Sequence, residues 1–295
     1  MTERVMTHEE SIEYLLRRSQ RHGDVFPIRR EFIQTRIESL LGEPTTGPGP
    51  LSKLLRAPHA LELLLLVYAV TTGGDYGVTE RSQLWGRAAG IYMLPDRNAS
   101  VAVSRQWQHL EKLGLIERHQ HGHLKRIVKR RECGLVGEIS LPYTAPTGAK
   151  GDVYFRVPFS YWREGWHRKL EMPGKAVLLA AMSRRRETFT LPQDTRGARA
   201  LGLGRHTMAR GIEELVRHEL LVKAGTDEVV NARTMRGYEW VHTYQLAKPF
   251  NINLSKSEIE RLEAEQLALL TTGVDADSQG GASAAPNTAM NKEGG

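Results

Sequence analysis

Apolar residues recur along this chain mostly at helical spacing, with short alternating runs between. Thr7-His8-Glu9-Glu10 has the form of a capping box, and Ile12, Leu15 and Leu16 behind it predict an amphipathic helix ending near Gly23. Pro27 at a first helical position, with Phe32, Ile33, Ile37, Leu40 and Leu41 closed by Gly42, predicts a second helix. Residues 1–42 thus read as a helical pair. Turn chemistry from Glu43 through Pro50 marks a linker, taken to span 43–57. Pro58 to Thr72 then reads as a strongly apolar helix stopped by Gly73-Gly74, followed by helices at Glu80–Ala89 and, past Pro95, Asn98–Leu113. Leu115–His119 and Leu124–Lys129 read as two strands around a polar turn.

The same order recurs downstream. Pro173–Arg186 predicts a helix, Thr188–Leu191 a strand, Asp194–Leu201 and Arg205–His218 two helices, and Leu220–Val222 with Tyr238–Leu246 a hairpin. Shifting the first set by 105 residues superposes Arg105 on Arg210, Leu110 on Leu215, Leu115 on Leu220 and Ile116 on Leu221. Helix, helix, helix, hairpin is the winged-helix order. The expected fold is therefore mainly α with small β-hairpins (α+β): two tandem winged helix-turn-helix domains at 58–135 and 153–250, joined by a linker at 136–152, with flanking helices. Ser255-Lys256-Ser257-Glu258 opens a C-terminal helix (251–272) with Ile259, Leu262, Leu267 and Leu270 on its apolar side, and 273–295 reads as a disordered tail.

A helix-turn-helix sets its second helix in the major groove with N-terminal side chains facing base edges. Leu201-Gly202-Leu203-Gly204 supplies a tight turn, Met208, Ile212 and Leu215 a buried stripe, and Arg205, His206, Thr207 and Arg210 an outward face. Arginine can pair bidentately with guanine, so base readout is chemically available there. This stretch resembles the recognition segment of GntR-type bacterial winged-helix regulators, with Gly204 where that family has Ser and Glu219-Leu220-Leu221 where it has Gly-Leu-Ile. The resemblance implies that Arg205 and Thr207 contact DNA. Val153-Tyr154-Phe155-Arg156-Val157-Pro158 with the helices behind it also resembles the DNA-binding part of plasmid replication initiators. In the first copy the equivalent positions are Ser100, Ser104, Arg105 and Gln108, with Val101, Val103, Trp107 and Leu110 buried. Its hairpin holds Arg118, Lys125, Arg126, Lys129, Arg130 and Arg131 as phosphate contacts, and Arg233 and Arg236 extend the set in the second hairpin.

Charge adds direction to this picture. The chain carries +7 overall, but residues 43–250 hold 31 basic against 20 acidic side chains, the footprint of a polyanion binder. The single cysteine, Cys133, excludes an internal disulfide and a cysteine-cluster zinc site. No apolar stretch reaches the roughly 20 residues of a membrane span, and the acidic start lacks a secretory signal's apolar core, so the expected location is the cytoplasm, on the nucleoid. His119, His121 and His123 read as a solvated hairpin tip, with a metal site or a metal-dependent nicking centre as the sharper alternative. Arg184-Arg185-Arg186 reads equally as a charged helix end or a phosphate contact. No catalytic constellation and no cofactor motif is found. The expected role is a bacterial transcriptional regulator on double-stranded DNA, a homodimer paired through its terminal helices, and not an enzyme. A plasmid or phage replication initiator is the alternative, and a protein-binding adaptor a further one.

Overall fold

The two most apolar stretches, Pro58–Val70 and Met172–Met182, become helices that can sit nowhere but inside: every residue from Ala60 to Val70, and from Gly174 to Met182, is buried. Proline in the first turn starts both, where a missing N–H costs nothing. Around them the chain runs α1 (His8–Arg17), β1 (Val25–Arg29), a 3-10 turn (Arg30–Phe32), β2 (Gln34–Ile37), β3 (Thr45–Pro48), α2 (Leu51–Leu54), α3 (Pro58–Val70), β4 (Gly77–Thr79), α4 (Ser82–Ala88), α5 (Ala99–Lys112), β5 (Ile116–His121), β6 (Leu124–Val136) and β7 (Ile139–Pro142). It continues through β8 (Tyr154–Pro158), α6 (Ser160–Arg163), α7 (Trp166–Lys169), α8 (Met172–Met182), β9 (Thr188–Thr190), α9 (Thr195–Ala200), α10 (Arg205–Arg217), β10 (Leu221–Val230) and β11 (Tyr238–Leu246). The structure, a computed structural model, describes residues 4–19, 21, 23–37, 45–91, 99–192, 195–231, 235–262 and 264. None of the helices among these is long and apolar enough to cross a membrane.

This architecture corrects the expected fold class. In place of a mainly α chain of two tandem winged helix-turn-helix domains, the described residues form an α+β fold with four small antiparallel sheets, and Met1–Asn253 is one compact unit. A three-strand pattern does occur twice, as β4-β6-β5 and as β9-β11-β10, but the two halves are interlocked. β1 pairs with β8 from Val25↔Pro158 to Arg29↔Tyr154, joining segments more than a hundred residues apart. Arg29, 1% exposed, donates to Glu132 on β6 at 2.9 Å, to Asp152 at 2.5 Å and to the Thr144 carbonyl at 2.8 Å. Lys175 on α8 and the Tyr161 hydroxyl both donate to Glu62 Oε1 on α3, at 2.7 and 2.8 Å, all three side chains being buried.

A histidine pair adds a fourth tie. His8 Nδ1 meets the Arg87 carbonyl at 2.6 Å, so it must be the protonated nitrogen. In the neutral pair, His8 Nε2 therefore accepts from His167 Nε2–H at 2.7 Å, and His167 Nδ1 is left sealed without a partner. Burial first, then the neighbouring His8, pushes His167 down to about 3.

The predicted second helix over 27–41 is absent where it is described. Phe26 and Ile28 are buried while Val25 and Pro27 are half-exposed, a two-residue period that makes β1, and β2 follows. Pro27 is tolerated because β1 belongs to a two-stranded sheet and has an unpaired edge. Residues 38–44 lie outside the described set. Thr45–Pro48, read as linker, is β3 paired with β2, and Ile139–Pro142 in the second supposed linker is β7 paired with β6. The α1 capping box is present, with Thr7 Oγ1 accepting from Glu10 N–H at 3.1 Å and Glu10 from Thr7 N–H at 2.8 Å. Its apolar face, Ile12, Leu15 and Leu16, is spent on the core and is not available to pair protomers. Leu254–Gly295 is a separate unit in which Ser255 Oγ caps the start of a helix by accepting from Glu258 N–H at 3.2 Å. Leu267, Leu270 and the tail expected over 273–295 lie outside the described residues.

Candidate nucleic-acid interface

The turn between α9 and α10 is built by hydrogen bonding that reverses the chain within four residues. Leu203 N–H donates to the Ala198 carbonyl at 3.0 Å and Gly202 N–H to Arg199 at 2.8 Å, the paired bonds of a Schellman motif. Gly202 takes φ +67, and a Cβ there would run into the side chains of Ser52 and Pro48. The turn is thus docked against β3 and α2, and Gln34 Nε2 adds a bond to the Ala200 carbonyl at 3.2 Å. These contacts hold α10 in place from the N-terminal half of the chain.

α10 buries Met208, Gly211, Ile212, Glu214 and Leu215 against the core, Glu214 accepting from the Glu171 and Gly174 N–H groups at 2.7 and 3.1 Å. What remains outward is Arg205, His206, Ala209, Arg210, Glu213, Val216 and Arg217, four basic or histidine side chains against one carboxylate, with Thr207 half-buried. Arg210 pairs with Glu171 at 2.7 Å, but both side chains are about two-thirds exposed and that pair is weak. α5 presents a similar surface: Val103, Trp107 and Leu110 are buried, while Ser100, Arg105 and Gln108 are exposed and Ser104 is half-buried. Val101, expected inside, is 50% exposed.

The β5–β6 hairpin differs from the expected arginine comb. Lys125 is exposed. Arg118 is held by Glu111 at 2.6 Å, Arg131 by Glu31 at 3.0 Å, and Arg130 by Glu117 at 3.3 Å and by Ser140. Arg126 is bidentate to Asp75 (2.5 and 2.8 Å), and its hydrogen bonds pull the Asp75 carboxyl down to about 2. Lys129 cannot reach DNA. It is 1% exposed, donates to the Thr71 carbonyl at 2.9 Å and lies over the rings of Tyr143, Tyr76 and Tyr68 at 3.9, 5.0 and 5.7 Å. Burial, with Arg21 nearby, pushes its ammonium well below the usual lysine range, while three aromatic faces supply cation–π attraction.

Arg236 is exposed beside the second hairpin, and Arg233 lies outside the described residues. That hairpin is otherwise little like a phosphate rail: Val222, Val229, Val230, Tyr238 and Trp240 are exposed on it beside Asp227 and Glu228. His119, His121 and His123 are exposed, His119 lying 3.4 Å from Glu117. Among the described residues no group of three or more His, Cys, Asp or Glu side chains could hold a metal ion. Sequence reading passed over Lys112 and Arg217. Each follows Arg105 or Arg210 by seven residues, two helical turns along the same face, and both are exposed without an ion pair among the described residues.

Comparisons of the chain with protein families, with curated proteins and with solved structures found no match.

Proposed function

We propose that this protein binds double-stranded DNA sequence-specifically and regulates transcription, with α10 as its principal reading element. The observation that supports this is the make-up of α10. It is anchored by its buried stripe and by the turn docked on β3 and α2, and it directs Arg205, His206 and Arg217 outward without carboxylate partners among the described residues. A rigid helix that opens on an uncommitted arginine, Arg205, with His206 beside it, is the arrangement that can put a guanidinium donor against base edges, and Arg217 at the other end of the helix can reach phosphate. Ser100, Arg105, Gln108 and Lys112 on α5 supply a second, similar surface, and Lys125 a phosphate contact from the hairpin.

The test is fluorescence anisotropy with fragments of genomic DNA at low ionic strength, followed by sequencing of the retained fragments. A recurring site over promoters is the expected outcome. Clustered direct repeats beside a replication origin would reassign the role to replication initiation. Absence of binding, or binding with no preferred sequence, refutes the proposal.

A further inference from the structure

We propose that Arg30, Arg184, Arg185 and Arg186 form a phosphate-binding site. The three consecutive arginines follow directly on α8 and its C-cap, Ser183, and Arg185 adopts a left-handed φ of +57 that bends the run. Positive charge at a helix C-terminus accounts for exposed side chains. It does not account for Arg184, whose Nε is sealed from solvent with no hydrogen-bond partner. Arg30, an exposed residue opening the 3-10 turn after β1, is lowered from the usual guanidinium range by partial desolvation and then by Arg185 and Arg186, and Arg184 by burial and then by Arg30.

Among the described residues, the contrast with the other buried and half-buried arginines is what identifies the site. Arg29, Arg118, Arg126 and Arg131 each have a carboxylate at hydrogen-bond distance, and Arg21 has three carbonyls. Among the described residues none of Arg30, Arg184, Arg185 and Arg186 has an ion pair or a side-chain hydrogen bond, although Arg184 is half-buried and its Nε is sealed from solvent. Neighbouring guanidiniums that lack a protein counter-charge are completed by a multiply charged oxyanion, and phosphate fits their planar forks. The phosphate comes either from the backbone of bound duplex, which deepens the DNA-binding reading and rests on it, or from a free phosphate group.

The test uses the full chain. Thermal unfolding in inorganic phosphate, against chloride at matched ionic strength, is expected to show a saturating rise in Tm. Arg184→Met should abolish that rise and, by removing an unpaired, half-buried cation whose Nε is sealed, melt higher than wild type in chloride. Duplex affinity separates the sources. If the site takes a backbone phosphate, Arg184→Met and Arg30→Gln each flatten the salt dependence by about one counterion; if it takes free phosphate, they leave DNA affinity unchanged while the Tm effect disappears. A phosphate effect in a protein that binds no DNA would uphold the site and sink the proposed function. No phosphate-dependent Tm change together with an unaltered salt dependence overturns the site.

A separate observation concerns β10, which is the edge of its sheet. We infer that β10 pairs with the same strand of a second copy. Its register with β11 leaves Ala224 out as a bulge, so Lys223 and Glu228 share one face and Val222 and Val229 the other. Antiparallel pairing about Thr226 then sets Lys223 opposite Glu228, Val222 opposite Val229 and Gly225 opposite Asp227, twice over by symmetry. This uses the exposed valines and matches opposite charges. Sedimentation should show a dimer that Lys223→Glu weakens at least tenfold and that Lys223→Glu with Glu228→Lys restores. A monomer at a hundred micromolar, or a dimer indifferent to Lys223→Glu and to Thr226→Pro, overturns it.

Discussion

The buried triad of Glu62, Lys175 and Tyr161 offers the sharpest test of how the two halves are held. Both charged side chains are under 10% exposed, so their mutual attraction is little screened and neither can be hydrated if its partner is removed. Lys175→Met leaves a buried carboxylate with only the Tyr161 hydroxyl for company, at an expected cost of about 3–5 kcal/mol. Glu62→Gln keeps an acceptor for Tyr161 but strands the ammonium, with a loss of about the same size. The double substitution removes both charges and keeps the tyrosine bonded. Glu62 Oε2 has no hydrogen-bond partner to lose, and the double variant should lie within about 2 kcal/mol of wild type. Urea unfolding of the four proteins, read by tryptophan fluorescence, measures the coupling. If the two single losses simply add in the double variant, the pair is not buried and mutually dependent, and the interlocking of α3 with α8 described above is wrong.

Other outcomes follow from single residues. Glu219 holds the left-handed position (φ +58) that ends α10, which Gly114 occupies at the end of α5, so Glu219→Gly should raise Tm by a few degrees as strain of roughly 1–2 kcal/mol is relieved and partly offset by glycine's unfolded-state entropy. Arg205→Ala should cost roughly 1–3 kcal/mol of DNA affinity and relax preference at one or two base positions, whereas Lys125→Ala should weaken all sequences alike; equal effects on cognate and random duplex would merge the two roles. His167 stays neutral in the fold down to about 3 while the unfolded chain takes up its proton near 6.5. The unfolded state therefore binds more protons within that window, and this residue's contribution fades as pH falls from 6.5 toward 3, by about 1.4 kcal/mol per unit. His167→Gln should flatten the acid limb by one proton in pH-dependent denaturation.

Local features were legible because local chemistry decides them. The capping box at Thr7–Glu10, the proline-started helix at 58–70, and the outward and inward faces of α10 all follow from spacing within one or two turns. The failures involve partners distant in sequence. Pro27 looks like a helix start until β8 arrives to pair with Phe26 and Ile28, and nothing near Lys129 announces the tyrosines at 68, 76 and 143 that enclose it. For the same reason the hairpin arginines read as a phosphate comb: Asp75, Glu111 and Glu31, which occupy three of them, lie 7 to 100 residues away. Arg184 was visible only as one of three adjacent charges, and its electrostatic nearness to Arg30 has no signature along the chain.

The pairing of β1 with β8 has a consequence for synthesis. A nascent chain emerging from the ribosome displays Val25–Arg29 more than a hundred residues before its partner strand appears, so the first half waits with an open edge and an uncapped interior. Genes cut between the halves should yield two insoluble fragments, and co-expression of the fragments should recover the folded protein.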